Sequence, residues 1–178
     1  MHFFDEKYAR DFLAQCGLDP DLMLRGKLNE IGKFEKTILL RPEPEDYFQF
    51  AGFVAQLASK IDRYDVSEKS NRLLVFTEFG IWPSSENWYL FKILREANGC
   101  HEPIWEKPCQ FFSNYEYAEL VTFIEFGLRS GWGGLIFGAA DNAAIYFSHD
   151  EWIRIGLREA RDEDLKYFEN LKIVVEFE

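Results

Sequence analysis

The sequence has little positive charge. Its 178 residues include 20 Lys and Arg against 31 Asp and Glu, which gives a formal net charge of −11 at pH 7. A surface of this sign repels phosphate backbones and anionic lipid headgroups, so we expect neither a nucleic acid nor a membrane as partner. The same charge favours the binding of a basic protein.

Cysteine is also scarce. The three residues present, Cys16, Cys100 and Cys109, are an odd number in a chain too long to need disulfides for its stability. We therefore expect reduced thiols and a cytoplasmic protein. Residues 1–7 lack a basic segment followed by an apolar run, so they do not predict a signal peptide. Residues 131–147 are the longest weakly polar stretch, but their glycines and polar turn residues do not suit a membrane span.

The short motifs of nucleotide and zinc sites are missing. The sequence has no glycine-rich phosphate loop and no Cys-x-x-Cys pair. Cys100, His101 and Cys109 supply part of a tetrahedral zinc set but no second half, so we predict neither a metal nor a cofactor. A Cys–His catalytic pair would need an approach in space that neighbours in sequence rarely have.

Aromatic residues, in contrast, are abundant. They make up 17% of the chain, with 18 Phe, 8 Tyr and 5 Trp. Side chains of this size supply the apolar surface that a folded core requires and that disordered chains lack. At this length the simplest organisation is one domain over residues 1–178.

Helical and strand patterns alternate along the chain. The periodicity predicts helices over residues 5–16, 45–62, 86–97, 113–130 and 148–156 and from residue 162, and strands over residues 34–40, 73–81, 109–112, 134–138, 143–147 and 173–177. Ser113 with Glu116, and Ser148 with Glu151, match the capping-box pattern of helix starts. The alternation favours an α/β fold, a layered single domain with a mixed, partly parallel sheet of about five or six strands flanked by helices. The hairpin would place its antiparallel strand at the sheet edge.

Residues 82–87 form the first candidate site, whose members are Trp82, Ser84, Ser85, Glu86 and Asn87. If residues 73–81 form a parallel strand, this turn lies at its carboxyl end, where a helix N-terminus faces the crevice in which open α/β sheets bind ligands. Free amides and serine hydroxyls could hold an anion there. The commoner use of this pattern is the alternative: a serine only caps the helix, and the tryptophan packs nearby.

His149 and Asp150 form the second candidate site. A histidine beside carboxylates can act as a base or a metal ligand. The alternative, which we favour, is that Asp150 contacts the helix dipole, Glu151 completes the cap and His149 is a surface or packing residue. His149 joins residues 82–87 only if the strand at 134 runs antiparallel to the strand at 73. With Trp132, the two sites would then line one candidate pocket.

The C-terminal half resembles a group of bacterial proteins of unknown function. The shared pieces are residues 81–87, the helix at 90–95, the Gly131-Trp132 break and residues 148–152, and together they cover about residues 73–156. They include the sequences Trp-Pro-Ser-Ser-Glu-Asn and Ser-His-Asp-Glu-Trp. Relatives often carry an acidic residue after the Gly-Trp pair, where this chain has Gly133, so a role for that acid does not carry over. The resemblance implies kinship and no mechanism.

Charge and aromatic content favour an acidic binding protein that acts through a basic protein partner, as an immunity protein does when it neutralises a basic toxin. The alternative is a small hydrolase or transferase with a pocket near residues 82–87 and His149. A homodimer formed through an exposed aromatic patch is a third alternative. Convergence of Ser84 or Ser85 with His149 on one concave pocket would distinguish the enzyme from the binding protein.

Overall fold

Eight strands and six helices form within the part of the chain that the computed structural model describes, residues 1–61, 72–77, 88–113, 115–138, 143–171 and 173–177. The strands are β1 His2–Phe4, β2 Lys36–Arg41, β3 Arg72–Thr77, β4 Cys109–Phe112, β5 Gly133–Gly138, β6 Ala143–Phe147, β7 Ile153–Leu157 and β8 Val174–Phe177. The helices are α1 Glu6–Gln15, α2 Pro20–Leu24, α3 Tyr47–Ile61, α4 Trp88–Ala97, α5 Tyr117–Arg129 and α6 Asp162–Glu169. None of these described helices is long and apolar enough to cross a membrane.

All eight described strands belong to one sheet, in the order β1-β4-β3-β5-β6-β7-β2-β8. Every pairing between them is antiparallel. The fold is α/β, with helices flanking the sheet, but the predicted mixed, partly parallel sheet of five or six strands is wrong. The β5–β6 hairpin also lies in the middle of the sheet rather than at its edge.

Interleaving of strands explains the wrong prediction. Strands β2 and β3, joined through α3, run in the same direction, as do β4 and β5, joined through α5. Neither pair is adjacent, because β7, β6 and β5 lie between β2 and β3, and β3 lies between β4 and β5. The alternation of helices and strands marks real crossovers, but strands from distant parts of the chain occupy the positions of parallel neighbours.

Helices cover both faces of the sheet, and the strands bury alternate side chains against each layer. In β3, Leu74 and Phe76 face the layer that contains α3 to α6, while Leu73 and Val75 face the layer that contains α1 and α2. All six residues of β3 are buried. A continuous apolar run is what a strand covered on both faces requires. The predicted strand continues into residues 78–81, which lie outside the described residues.

Ser148 and Glu151, the second predicted capping box, do not start a helix. The backbone N–H of Ser148 donates to the carbonyl of Trp152 over 3.0 Å, and that of Glu151 donates to the carbonyl of Ser148 over 3.1 Å. These bonds close a turn in which Glu151 has a φ of 61°. The chain then continues as β7, which pairs with β6. Buried apolar residues at 153, 155 and 157 follow strand spacing, and their pairing outweighs the local cap.

The first predicted capping box is only half formed. The Glu116 carboxylate accepts hydrogen bonds from the backbone N–H and the hydroxyl of Ser113, at 2.8 and 3.0 Å, but α5 begins after it, at Tyr117. The same carboxylate binds the α-ammonium group of Met1. This ion pair ties the start of β1 to the start of α5. The sequence did not predict β1, because three residues are too few to show a period.

Candidate functional site

Several strand ends meet at one end of the sheet. Thr77 at the end of β3 pairs with Gly133 at the start of β5, and Phe147 at the end of β6 pairs with Gly134. The carboxyl end of β3 and the turn that carries His149 therefore lie at the same end. Because β5 runs antiparallel to β3, the condition for joining His149 to residues 82–87 is met as far as the described residues reach.

Five of the predicted site residues lie outside the described residues, namely Trp82, Ser84, Ser85, Glu86 and Asn87. His149 and Asp150 are described, and they lie in the turn between β6 and β7. Nε2 of His149 is 3.6 Å from Oδ1 of Asp150, and both side chains are accessible to solvent.

Trp132, in contrast, is a core residue that is only 1% exposed. Its ring packs edge-on against the rings of Phe91 and Phe76, with centroids 5.5 and 6.1 Å away. Edge-to-face contacts of this kind are favourable beyond the area they bury. They hold the indole in the face of the sheet that α4 covers, where Trp132 also lines a cleft.

The cleft has a volume of about 280 Å³ and lies between α4 and the segment that joins α4 to β4. Its apolar wall contains Phe91, Ile104, Trp105 and Trp132. Neither of the two turn residues, at 149 and 150, is among the described residues that line it. Of the three described residues of the predicted pocket, Trp132 therefore lines the cleft, whereas His149 and Asp150 lie outside it.

A buried arginine lies among the polar residues of this cleft. Only 2% of Arg95 is exposed. Its Nη2 donates to Sγ of Cys100 at 3.0 Å and to the carbonyls of Lys107 and Glu102 at 3.0 and 3.3 Å. The guanidinium also lies over the ring of Phe3, 5.1 Å from its centroid. The loop between α4 and β4 thus folds around one guanidinium nitrogen.

The positive charge of Arg95 is not paired with a carboxylate in the part of the chain that the structure describes. Among the described residues it forms no ion pair, and its buried Nη1 has no hydrogen-bond partner. Burial lowers the pKa of Arg95, and the neighbouring Cys100 acts in the opposite direction. Burial also raises the pKa of Cys100, so the thiol is neutral at pH 7 and does not neutralise the guanidinium. Arginine stays protonated in proteins, so a buried charge remains.

Glu102, whose carboxylate lines the cleft, is already paired with a lysine. Lys107 donates to Oε1 of Glu102 and forms an ion pair with it. This hydrogen bond is the main reason why the pKa of Glu102 falls to about 2, and the same bond raises the pKa of Lys107. The pair carries no net charge at pH 7, but the carboxylate of Glu102 also acts on Arg95 and raises its pKa, so it offsets part of the cost of burying that charge.

The cysteines do not come together as zinc ligands. Cys109 lies on the opposite face of the sheet, where its Sγ donates to the carbonyl of Asp5 at 3.3 Å. Burial raises the pKa of Cys109 to about 12, which disfavours the thiolate that zinc requires. Within the described parts of the chain, no group of three or more His, Cys, Asp or Glu is placed to hold a metal ion.

Comparison with known proteins gives no information on the function of this chain. No protein-family model, curated protein or solved structure matches this chain. The resemblance seen in residues 73–156 therefore stays a prediction. The functional argument depends on the residues around the cleft.

Sequence reasoning missed Arg95 and Trp105 as site residues. One signal for Arg95 was available, because it follows Phe91 by four residues and so lies on the buried stripe of α4. Arginine is almost never fully buried unless it is paired, so its place on that stripe indicates a site. Trp105 gave no such signal, since it lies in an irregular segment between two prolines.

Proposed function

We propose that this protein binds another protein through the exposed side of α4. Tyr89, Leu90 and Ile93 are 59, 50 and 45% exposed, and their spacing makes them neighbours on one side of the helix. Contiguous exposed apolar residues, unlike scattered ones, are typical of binding surfaces, in which aromatic side chains are enriched. We call Tyr89, Leu90 and Ile93 the α4 surface.

The partner that suits this chain is a basic protein, such as the toxin that an immunity protein neutralises. The net charge of −11 attracts a basic molecule at long range and speeds the encounter. Near the α4 surface, the ion pairs Lys92–Glu96 and Lys107–Glu102 are locally balanced. The attraction therefore comes from the whole molecule, and the α4 surface supplies the apolar contact that fixes the complex.

Affinity capture with matched variants tests this proposal. Ile93→Asp places a charge within the α4 surface, whereas Phe48→Asp makes a similar change at another exposed apolar residue, at the start of α3. We expect the wild type and Phe48→Asp to capture the same basic protein from a cell extract, and Ile93→Asp to lose it. The binding should weaken as salt rises from about 0.05 to about 0.5 M, because salt screens long-range attraction.

Two outcomes would argue against this function. Capture that is unaffected by Ile93→Asp would remove the α4 surface from the interface. Self-association of the wild type that Ile93→Asp abolishes, measured by light scattering, would assign this surface to a second copy of the chain instead.

An enzymatic function is the second candidate, because one observation favours it. The carboxyl end of β3 and the turn after β6 lie at one end of the sheet, which is what a pocket near residues 82–87 and His149 requires. A screen of chromogenic ester, amide and phosphoester substrates tests it. An activity that His149→Ala and Ser85→Ala both abolish would support a hydrolase, and the absence of any turnover would leave the binding protein.

A further inference from the structure

Contacts within the protein fix both walls of the cleft beside α4. The outer wall is the segment that joins α4 to β4, and the guanidinium of Arg95 holds this segment from inside, through a thiol and two backbone carbonyls at 3.0–3.3 Å. The inner wall contains the rings of Phe91 and Trp132, which pack edge-on with centroids 5.5 Å apart. Because the cleft is already shaped, a ligand loses little affinity to the ordering of loops and side chains.

One large aromatic side chain in this cleft is only partly covered. Trp105 is 52% exposed, although its apolar neighbours in the cleft, Phe91, Ile104 and Trp132, are buried. Apolar surface in a concave site is what a ligand removes from water when it binds, and aromatic rings pack favourably against one another in offset or edge-on geometry. The apolar wall therefore favours a ligand that contains an aromatic ring.

The charged side chains around the cleft are not available to a ligand. Nζ of Lys92 lies 3.5 Å from the carboxylate of Glu96, and Lys107 binds the carboxylate of Glu102. Arg95 is only 2% exposed. A charged ligand would lose water in the cleft without gaining a free counter-charge, which is unfavourable. The ligand should therefore carry no net charge.

His101 can supply a polar contact to such a ligand. Its side chain lines the cleft and is exposed to solvent. Within the described part of the chain, its ring nitrogens have no hydrogen-bond partner. A neutral imidazole offers one donor and one acceptor, so it can bond to either a hydroxyl or an amide group.

We propose that this cleft binds a small neutral molecule in which one aromatic ring carries a hydroxyl or amide group. The ring packs against Trp105, and the polar group bonds to His101. The cleft has a volume of about 280 Å³. An apolar cavity of about 150 Å³ is enough to hold benzene, so one substituted ring fits here.

The small molecule and the proposed protein partner use opposite sides of α4. Phe91, Lys92 and Arg95 line the cleft, and the α4 surface lies on the other side, because successive residues of a helix are about 100° apart. A free aromatic molecule can therefore bind whether or not a protein partner exists. Ile93→Asp, which removes the protein partner, should leave the affinity for the small molecule unchanged. The two proposals can fail independently.

Titration of the 178-residue chain with benzyl alcohol, benzoate and benzylammonium tests the site. The three probes share one ring and differ in charge. Trp105 and Trp132 both line the cleft, so their fluorescence reports occupancy, and calorimetry gives the dissociation constant. We expect benzyl alcohol to bind with a dissociation constant of about 1 mM or lower, and each charged probe to bind at least about tenfold more weakly.

Two outcomes of the titration would overturn the proposal. The first is no binding of benzyl alcohol at concentrations up to about 10 mM, which corresponds to a binding free energy too weak for a specific site. The second is binding of benzoate or benzylammonium that is as tight as that of benzyl alcohol, because it would show that the cleft does not select a neutral ligand.

Three variants locate the binding on the named residues. We expect Trp105→Ala to weaken the binding of benzyl alcohol about tenfold or more, because the ring loses its packing partner, and His101→Ala to weaken it about two- to tenfold. Tyr115→Ala changes an aromatic residue that is 98% exposed and outside the cleft, so it should have no effect. Unchanged affinity in Trp105→Ala would overturn the proposal, and unchanged affinity in His101→Ala would overturn its polar contact. The titration of the wild type decides the proposal even if a variant does not fold.

Discussion

Replacing Gly127 with alanine will destabilise the protein, although alanine is the better helix former. Gly127 lies in α5, above the aromatic side chains that back the cleft. An added Cβ atom would lie 2.2 Å from Cε1 of Phe76 and 3.0 Å from its Cδ1 and Cζ atoms. The ring of Phe76 has no room to retreat, because it is buried and packs edge-on against Phe91 and Trp132, with centroids 5.4 and 6.1 Å away.

Two opposing contributions decide the free energy of unfolding of this variant. Alanine is favoured over glycine inside a helix by about 1 kcal/mol. Overpacking a core costs about 1–3 kcal/mol, and a contact of 2.2 Å places Gly127→Ala at the upper end of that range. We therefore expect a net loss of about 2 kcal/mol. For a chain of this length the melting temperature should fall by about 4–8 °C.

Gly52→Ala is the matched control, because Gly52 also lies inside a helix, α3, and an added Cβ atom there meets nothing within 4 Å. It should gain about 0.5–1 kcal/mol. Urea unfolding followed by circular dichroism should separate the two variants by about 3 kcal/mol. If Gly127→Ala is stabilised as much as Gly52→Ala, the close approach of Phe76 to α5 is refuted.

Three further predictions concern a thiol, a carboxylate and a turn. Cys16 will react with a maleimide in the folded protein well before Cys109, which is fully buried with a pKa of about 12; mass spectrometry of peptides gives both rates. The folded pKa of Glu102, about 2, lies below its ordinary value of 4.5, so its stabilising effect is present above pH 4.5 and is lost as the pH falls through 2. The difference in urea midpoint between wild type and Glu102→Gln should therefore shrink over that interval. Glu151→Gly should be up to about 1 kcal/mol more stable than the wild type, because it relieves a φ of 61°, whereas Asp150→Gly should lose about 0.5–1 kcal/mol in thermal unfolding.

Each of these predictions has a contradicting result. Equal labelling rates for the two thiols would show that Cys109 is accessible. A midpoint difference for Glu102→Gln that is the same at pH 7 and at pH 2 would show that the carboxylate is not paired as described. A Glu151→Gly variant less stable than Asp150→Gly would show that the turn is not strained.

Local patterns predicted most of the individual helices and strands. The bounds of β4 and β6 were predicted residue for residue, and those of α1, α3 and β8 were predicted to within two residues. These elements can be recognised from the spacing of apolar residues that are close in sequence. In α3, for example, the buried Phe50, Val54 and Leu57 form an apolar stripe. No distant part of the chain is needed to detect such a period.

Strand order and direction could not be predicted in this way. The residues Ser148 to Glu151 satisfy the pattern of a helix start and of a turn equally well. Their conformation is decided by Ile153 and Ile155, which pair with Phe147 and Ile145 of β6. Likewise, the neighbours of β2 come from residues more than a hundred positions later in the chain. Pairing over such distances leaves no mark on local periodicity.

The candidate site was predicted only in part, for the same reason. Trp132 was named from the sequence and lines the cleft. Arg95 acquires its significance from contacts with Cys100 and with the carbonyls of Glu102 and Lys107, which depend on the path of an irregular loop. Neither composition nor periodicity describes such a path.

The position of β2 between β7 and β8 has a consequence for synthesis on the ribosome. Residues 36–41 emerge early, yet both strands that flank them lie between residues 153 and 177. At the usual elongation rates of about 5–20 residues per second, the nascent chain carries these residues unpaired for about 6–27 s. Throughout that interval Ile38 and Leu40, which are inaccessible in the finished fold, are available to chaperones and to other nascent chains.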